Sequence, residues 1–270
     1  ARQSLRFTSG NKGNIQKIFP RHFGKQNNRH EYSYKKIFGL GLAITVGSTA
    51  FAIYELNPNG TFGPKTLSTL QKLPLRWSSH LWGKFTKIQF PTWINQPLLQ
   101  LYAKVYDCDL DEMKEPLNSY MSIQDFFIRR LKEEARPFVK EGIASPVDGK
   151  IMSFQEIAKN RDELEQIKGI QYSLSGFLGS PIMTETENLD QDTRLYHCII
   201  YLAPGDYHGI HNPVDWKIKD RKFFPGYLFP VAPVVVQKLE NLLGMNERVI
   251  LSGTWEHGFF SLSPVGATNV

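Results

Sequence analysis

The amino-acid sequence predicts an α+β fold, with helices toward the amino terminus and an antiparallel, β-rich domain after them. Beyond Pro137 the apolar residues occur in short runs rich in Val, Ile, Tyr and Phe, separated by Gly, Pro, Asn and Asp. This pattern is typical of strands and turns. Between these runs only residues 232–243 show a helical period. Strands joined by regular helical crossovers are therefore not expected.

The first 36 residues form a basic tail. Residues 1–36 contain nine Lys and Arg residues against one acid, Glu31, whereas the whole chain has a formal net charge of +6. The rest of the chain is therefore mildly acidic, which removes the main support for nucleic-acid binding. Basic residues spaced among Ser, Thr and Asn are typical of a mitochondrial presequence. A basic disordered arm has the same composition.

An apolar segment follows the tail. Residues 37–54 form an 18-residue run without a charged side chain, close to the shortest helix that crosses a bilayer. Its three glycines are tolerated in membrane helices and costly in soluble ones. We predict a transmembrane helix here, with a buried core helix as the alternative. Lys35 and Lys36 precede it, so the positive-inside rule predicts the tail in the matrix and the remainder across the inner membrane.

Residues 55–75 contain Asn, Pro and Gly in close succession and are predicted to be a linker. Residues 76–89 then alternate apolar and basic side chains at helical spacing. Their apolar members are Trp77, Leu81, Trp82, Phe85 and Ile88. A helix with tryptophans on one face and bases on the other suits the headgroup region of a bilayer. An amphipathic helix that packs on a protein core has the same pattern.

Two further helices are predicted before the strands. Residues 97–106 place their apolar side chains on one helical face. The next helix begins after Ser122, a plausible N-cap with Asp125 three positions on, and ends before Pro137. Residues 159–171 are expected to be a surface helix or loop. The predicted strands are residues 149–157, 195–202, 217–224, 248–254 and 258–265.

Polar residues that could carry chemistry lie at two turns beside predicted strands. Residues 145–150 read SPVDGK, where Asp148 could orient a base, although Asp-Gly is also a common turn dipeptide. Residues 202–214 present His208 and His211 after a strand. Histidines in such a loop can transfer protons near neutral pH, although surface histidines in turns are common. No third ligand accompanies them at metal-binding spacing, so no metal site is expected.

Six sequence blocks together resemble phosphatidylserine decarboxylases. They are FFIRRLKEEARPF (126–138), SPVDGK (145–150), LAPGDYHGIHNPV (202–214), FPGYLFPV (224–231), NERVIL (246–251) and FSLSPVGATNV (260–270). Six blocks in the right order are far more specific than one motif. The basic tail, the apolar run and the tryptophan-bearing helix resemble the mitochondrial branch in particular. The resemblance makes residues 76–270 the decarboxylase domain.

The resemblance implies an enzyme that converts phosphatidylserine to phosphatidylethanolamine and CO₂, with a pyruvoyl group as cofactor. In the family this group comes from the protein itself. A serine in a late Gly-Ser-Thr sequence attacks the preceding glycine carbonyl, and the ester then breaks by β-elimination. The cleavage leaves a small pyruvoyl-bearing subunit. The implied partners are that subunit, phosphatidylserine and the inner mitochondrial membrane, with the catalytic domain facing the intermembrane space.

Three residues match positions that have a role in the family. Asp148 and His211 resemble the Asp and His that activate the self-cleaving serine. His208 resembles the histidine assigned to decarboxylation. The Gly-Ser-Thr at 47–49 lies in the predicted membrane helix, so the cleaved serine is expected downstream of Val270 and this chain alone is expected to be inactive.

Two other functions remain open from the sequence. A membrane-anchored isoform without activity could bind lipid or a protein partner through the same domain. A hydrolase could use Ser261 or Ser263 with His211 and Asp148, but neither serine lies in a nucleophile-elbow sequence.

Overall fold

The computed structural model describes residues 61–137, 142–157, 163–167, 170–179 and 194–270, together with the backbone of Ser4–Leu5. Within these residues the protein is α+β and its strands pair antiparallel, which confirms the predicted class. The predicted transmembrane helix at 37–54 and the tail, apart from Ser4–Leu5, lie outside the described residues. In the described part, every helix is too short or too polar to cross a membrane.

The helices are α1 (Pro64–Lys72), α2 (Leu75–Thr86), α3 (Thr92–Tyr106), α4 (Ile123–Phe127), α5 (Leu174–Leu178), α6 (Pro233–Val236) and α7 (Leu242–Met245). The strands are β1 (Ser4–Leu5), β2 (Ile143–Ala144), β3 (Lys150–Ile157), β4 (Glu163–Ile167), β5 (Ile170–Ser173), β6 (Leu195–Tyr201), β7 (Trp216–Phe224), β8 (Arg248–Trp255) and β9 (Gly258–Leu262). Short 3₁₀ turns occur at Leu117–Ser119 and Glu133–Ala135.

Prolines set the bounds of α1 and α2. Pro64 lies in the first turn of α1, where its missing N–H costs no helical hydrogen bond. Pro74 separates the two helices because a residue before proline avoids the helical region, and Leu73 is extended with ψ of 135°. Helix α2 confirms the helix expected at 76–89. Helix α1 lies within residues 55–75, which we had expected to be an irregular linker.

Helix α4 confirms its predicted start and corrects its predicted end. The Ser122 hydroxyl accepts a hydrogen bond from the Asp125 N–H at 3.1 Å, as expected of an N-cap. The helix is only five residues long, so the prediction that it runs to Pro137 is wrong. After α4 the chain turns, and Leu131 forms an antiparallel bridge with Met113 instead of a further helical turn.

All five predicted strands are present, as β3, β6, β7, β8 and β9. Strand β3 pairs with β6, and β7, β8 and β9 form a three-stranded sheet in that order. Residues 159–171, expected to be a helix or loop, instead contribute β4 and the start of β5, which pair as a hairpin. The helical period at 232–243 is broken, because Asn241 has a positive φ of 54° just before α7.

The chain divides into two compact units. The loop unit contains Gln89–Asp148 and Pro204–Val214, with the short β1–β2 pair. The sheet unit contains Gly149–Ala203, Asp215–Val270 and the described residues that precede Gln89. Because residues 204–214 leave the sheet unit between β6 and β7, the loop unit is built from chain segments that are far apart in sequence.

The core of the sheet unit is apolar and encloses one buried arginine. Side chains from α5, α6, α7 and β8 pack together, with Phe229 and Leu242 fully buried. Arg248 is 6% exposed. Its guanidinium lies over the rings of Phe177 and Phe224, with centroid distances of 5.1 and 4.4 Å.

The loop unit has a smaller core around α3 and α4. Its buried apolar members are Leu99, Ala103, Met113, Tyr120, Ile123 and Phe126. Asn95 is also buried and donates through its side-chain amide to the Tyr120 carbonyl at 2.7 Å. This hydrogen bond attaches α3 to the segment that leads into α4.

Candidate active site

Two backbone hydrogen bonds join the SPVDGK segment and the residue before it to residues 204–214, which we call the histidine loop. The His211 N–H donates to the Pro146 carbonyl at 2.8 Å, and the Ala144 N–H donates to the Pro213 carbonyl at 2.9 Å. The two polar stretches predicted from the sequence therefore meet within the loop unit.

The Asp148 carboxylate is held by an arginine that the sequence analysis missed. The Nε of Arg136 donates to both Asp148 oxygens at 2.9 and 3.0 Å, and Nη2 donates to Oδ2 at 2.5 Å. The same guanidinium donates twice to Glu112 at 2.6 Å. These hydrogen bonds raise the pKa of Arg136, and those to Asp148 have the largest effect. A planar, multiply bonded cation fixes the Asp148 carboxylate in one orientation.

The backbone conformation and packing at position 149 explain why a glycine follows Asp148. It has a φ of 149°, a conformation that favours glycine. A Cβ at this position would also collide with the carbonyl oxygen of Tyr201. The glycine thus has a structural role at the start of β3, and Asp148 is held directly before it.

His208 is oriented by its own loop and by an aromatic ring. Its Nδ1 lies 2.8 Å from the Asp206 carbonyl oxygen. Since that oxygen can only accept, Nδ1 carries the hydrogen and Nε2 of the neutral ring carries the lone pair. The imidazole packs against Phe127 with ring centroids 4.1 Å apart. Burial lowers the pKa of His208 below its ordinary value, which favours the neutral ring near neutral pH.

His211 lies three residues further along the loop. Its Nε2 is 3.1 Å from the hydroxyl of Tyr207, and the two rings have centroids 5.6 Å apart. Its backbone is fixed by the bond to Pro146 described above. The tyrosine hydroxyl can donate or accept, so this contact is compatible with either neutral tautomer of His211.

The structure brings Asp148, His208 and His211 into one unit. The bonds described for Asp148 involve Arg136, and those of the histidine rings lie within the histidine loop. Pairing of Asp148 with His211 therefore stays a prediction. The hydrolase alternative gains no support from Ser261, whose hydroxyl donates to the Leu251 carbonyl at 2.9 Å in the β8–β9 pair.

Two arginines were missed as site residues. Arg136 holds Asp148, and Arg129 donates to the Gly205 carbonyl in the histidine loop at 2.9 Å. Both lie in the block FFIRRLKEEARPF, so the resemblance marked the segment but not the individual residues. Burial is what distinguishes Arg129 from its exposed neighbour Arg130.

Comparison with known proteins identifies the family. The family model described as phosphatidylserine decarboxylase matches residues 123–270, which include Arg129, Arg136 and the three predicted site residues. The chain belongs to the phosphatidylserine decarboxylase family. This confirms the resemblance seen in the six sequence blocks.

Named relatives of the decarboxylase family come from animals, plants and fungi. The mitochondrial phosphatidylserine decarboxylase proenzyme of Cricetulus griseus is 41% identical over 217 residues, covering 74% of this chain and 53% of that protein. Proenzyme 1 of Arabidopsis thaliana is 37% identical, covering 75% and 53%, and that of Saccharomyces cerevisiae is 34% identical, covering 73% and 55%. Both are also named mitochondrial. The chain spans about half the length of these decarboxylase relatives.

Proposed function

We propose that this protein decarboxylates phosphatidylserine to phosphatidylethanolamine and CO₂. The observation that carries the proposal is the loop unit, where a half-buried histidine and a fixed carboxylate lie on segments joined by backbone hydrogen bonds. Membership of the decarboxylase family supplies the substrate class. A silent lipid-binding isoform would have no need of a carboxylate held by a fork of hydrogen bonds or of an oriented, neutral imidazole.

The chemistry of these residues fits a pyruvoyl cofactor formed from a serine. A serine hydroxyl needs a base to act as nucleophile, and the base needs an orienting carboxylate. We assign His211 as that base and Asp148 as its orienting group. We assign His208 to decarboxylation, where the lone pair on Nε2 can take up and return a proton beside the reacting carbon. The pyruvoyl group would be part of the small subunit and would draw electrons from the substrate as CO₂ leaves, with His208 and His211 beside it.

We further propose that the protein works at the inner mitochondrial membrane, with its tail in the matrix, beside a small subunit from the same precursor. The names of the relatives support the compartment. Helix α2 supports the membrane surface, since Trp77 and Leu81 are 66% and 52% exposed. Exposed tryptophan and leucine on a basic helix are typical of a helix that lies in the headgroup region.

The proposal is tested with the full-length protein and liposomes of carboxyl-labelled phosphatidylserine. We expect labelled CO₂, an equal amount of phosphatidylethanolamine, and a small fragment that reacts with a carbonyl reagent. The Ser261→Ala variant serves as a control for the hydrolase alternative and should retain full activity. A full-length protein that is never cleaved and releases no CO₂ would refute the decarboxylase assignment.

A further inference from the structure

The first turn of the histidine loop is held from two sides. The Tyr102 hydroxyl donates to the Pro204 carbonyl at 3.0 Å, and Nη2 of Arg129 donates to the Gly205 carbonyl at 2.9 Å. Gly205 also packs so closely on the end of α3 that a Cβ would collide with the Tyr106 carbonyl oxygen. Residues of α3 and the segment after α4 therefore fix the backbone from which His208 projects.

Arg129 fixes this backbone with a buried cation, although arginine side chains are seldom buried. It is 3% exposed, and its guanidinium lies 5.0 Å from the centroid of the Phe126 ring. Among the described residues, its Nε and Nη1 atoms have no hydrogen-bond partner, and no carboxylate lies within ion-pair distance. Burial of an incompletely satisfied cation normally reduces stability. A role beyond folding would account for it.

The contacts lead from Arg129 to His208 by two short routes. Through the backbone, Arg129 holds the carbonyl of Gly205, and the next carbonyl, that of Asp206, orients the imidazole through Nδ1. Through side chains, Arg129 lies over Phe126, while the adjacent Phe127 packs on the imidazole. A shift of Arg129 would therefore move both supports of the His208 ring.

We propose that Arg129 is a positioning residue for His208, acting through the Gly205 carbonyl and through Phe126 and Phe127, which are consecutive in α4. The proposal rests on the proposed function, in which His208 takes part in decarboxylation. The charge of Arg129 also acts on the His208 imidazole. Of the charged groups that act on His208, Asp206 raises its pKa and Arg129 lowers it, in addition to the larger effect of burial. Removal of the Arg129 charge is thus expected to raise the pKa of His208.

The test uses the full-length protein with Arg129→Met, Arg129→Lys and the matched control Arg130→Met, which removes an exposed charge from the adjacent position. We expect Arg129→Met to lower kcat/KM on the order of 10- to 100-fold, since small displacements of a catalytic group have effects of that size. The pH at which activity changes with ionisation of His208 should move upward. Thermal stability should change little, because the lost donor to the Gly205 carbonyl is offset by removal of an unsatisfied buried cation.

Arg129→Lys keeps the charge and loses the forked geometry, so we expect it to restore the pH profile but only part of the rate. Arg130→Met should match the parent in every measurement. The proposal is wrong if Arg129→Met behaves like Arg130→Met, or if its activity declines only in proportion to the loss of folded protein. If Arg129→Lys has the same pH profile as Arg129→Met, the proposed effect of the Arg129 charge on the pKa of His208 is wrong.

A second readout is independent of turnover. The rate at which diethyl pyrocarbonate acylates His208, followed by peptide mass spectrometry across pH, reports the ionisation of the ring itself. In Arg129→Met this titration should move to higher pH, and in Arg130→Met it should not. Parent protein that releases no CO₂ would refute the proposed function, whereas an unchanged His208 titration in Arg129→Met would refute the role of Arg129 alone.

Discussion

The two units each bury an arginine against aromatic rings, and they satisfy it differently. In the sheet unit, Arg248 donates to the carbonyls of Phe177, Gly244 and Gly176 at 2.9, 2.6 and 3.1 Å. In the loop unit, Arg129 makes one such bond, to Gly205. The fully bonded arginine joins three chain segments around a large apolar core. The incompletely bonded one lies beneath the histidine loop.

This difference indicates a division of roles between the units. Buried polar groups whose hydrogen bonds are all made specify and stabilise a fold, whereas incompletely satisfied ones tend to occur at functional sites. We therefore expect substitutions in the loop unit to change chemistry more than stability, and substitutions in the sheet unit to do the reverse. Substitutions in each unit test this contrast.

The largest effect is expected for self-processing. Asp148→Asn and His211→Ala should each abolish cleavage of the full-length precursor, because the serine would lose its base or the group that orients the base. Electrophoresis of the purified protein should show only the uncleaved chain. Asp220→Asn, which removes an exposed carboxylate in β7 of the sheet unit, should be cleaved normally. Normal cleavage in both loop-unit variants would show that this catalytic assignment is wrong.

The next largest effect is expected for His208→Ala. Loss of a proton-transfer group typically slows a reaction by about 10²- to 10⁴-fold, so CO₂ release per cleaved enzyme should fall by a factor in that range. Cleavage of the precursor should proceed, because His211 and Asp148 are intact. A variant that decarboxylates normally, or that is blocked at cleavage instead, would contradict the separate assignment of the two histidines.

In the sheet unit, Arg248→Met should lower the free energy of unfolding by about 3 kcal/mol, because three carbonyls, of which that of Phe177 is buried, would lose their donor. Urea unfolding of the full-length protein measures this change. The matched control is Arg76→Met, which breaks a pair with Glu247 in which the arginine side chain is 63% exposed. Its effect should stay below about 1 kcal/mol. Equal losses of stability at both positions would show that Arg248 stabilises the sheet unit no more than an exposed arginine does.

A smaller, pH-dependent effect is expected at His197. Its Nε2 lies 2.9 Å from the Tyr172 hydroxyl, and burial lowers its pKa to about 4. Between the ordinary value of 6.5 and about 4 the unfolded chain binds the proton more readily. The contribution of neutral His197 to the free energy of unfolding is therefore complete above pH 6.5. It declines as the pH falls from 6.5 toward about 4, and about 2 kcal/mol is lost at about pH 5.

His197→Phe should remove this part of the pH dependence, as measured by urea unfolding at about pH 7.5 and about pH 5. The control is His257→Phe, at an exposed position of the sheet unit where the ring is 69% exposed. If His197→Phe shows the same loss of stability on acidification as the parent, another group is responsible.

The strands were predictable because alternation and turn residues are local signals. Other elements depended on tertiary context. Helix α3 begins at Thr92 and keeps Pro97 inside it, although a proline usually marks a helix boundary. Helix α4 ends early because Leu131 pairs with Met113, a partner that no local pattern reveals.

The site was predictable to the extent that its residues are rare types at turns. Asp148, His208 and His211 stood out for this reason. Arg129 did not, because it is followed by an exposed arginine and its burial depends on a carbonyl 76 positions away in sequence. Arginines in a charged segment ordinarily indicate a solvated surface.

The discontinuity of the loop unit has a consequence for biosynthesis. A ribosome delivers Asp148 well before the histidine loop, so the bonds from Pro146 to His211 and from Ala144 to Pro213 cannot form until that loop has emerged. Joining segments so far apart also carries an entropic cost that slows their closure. The order of synthesis thus delays contact between the segments that carry Asp148 and His211 until β6 has been made.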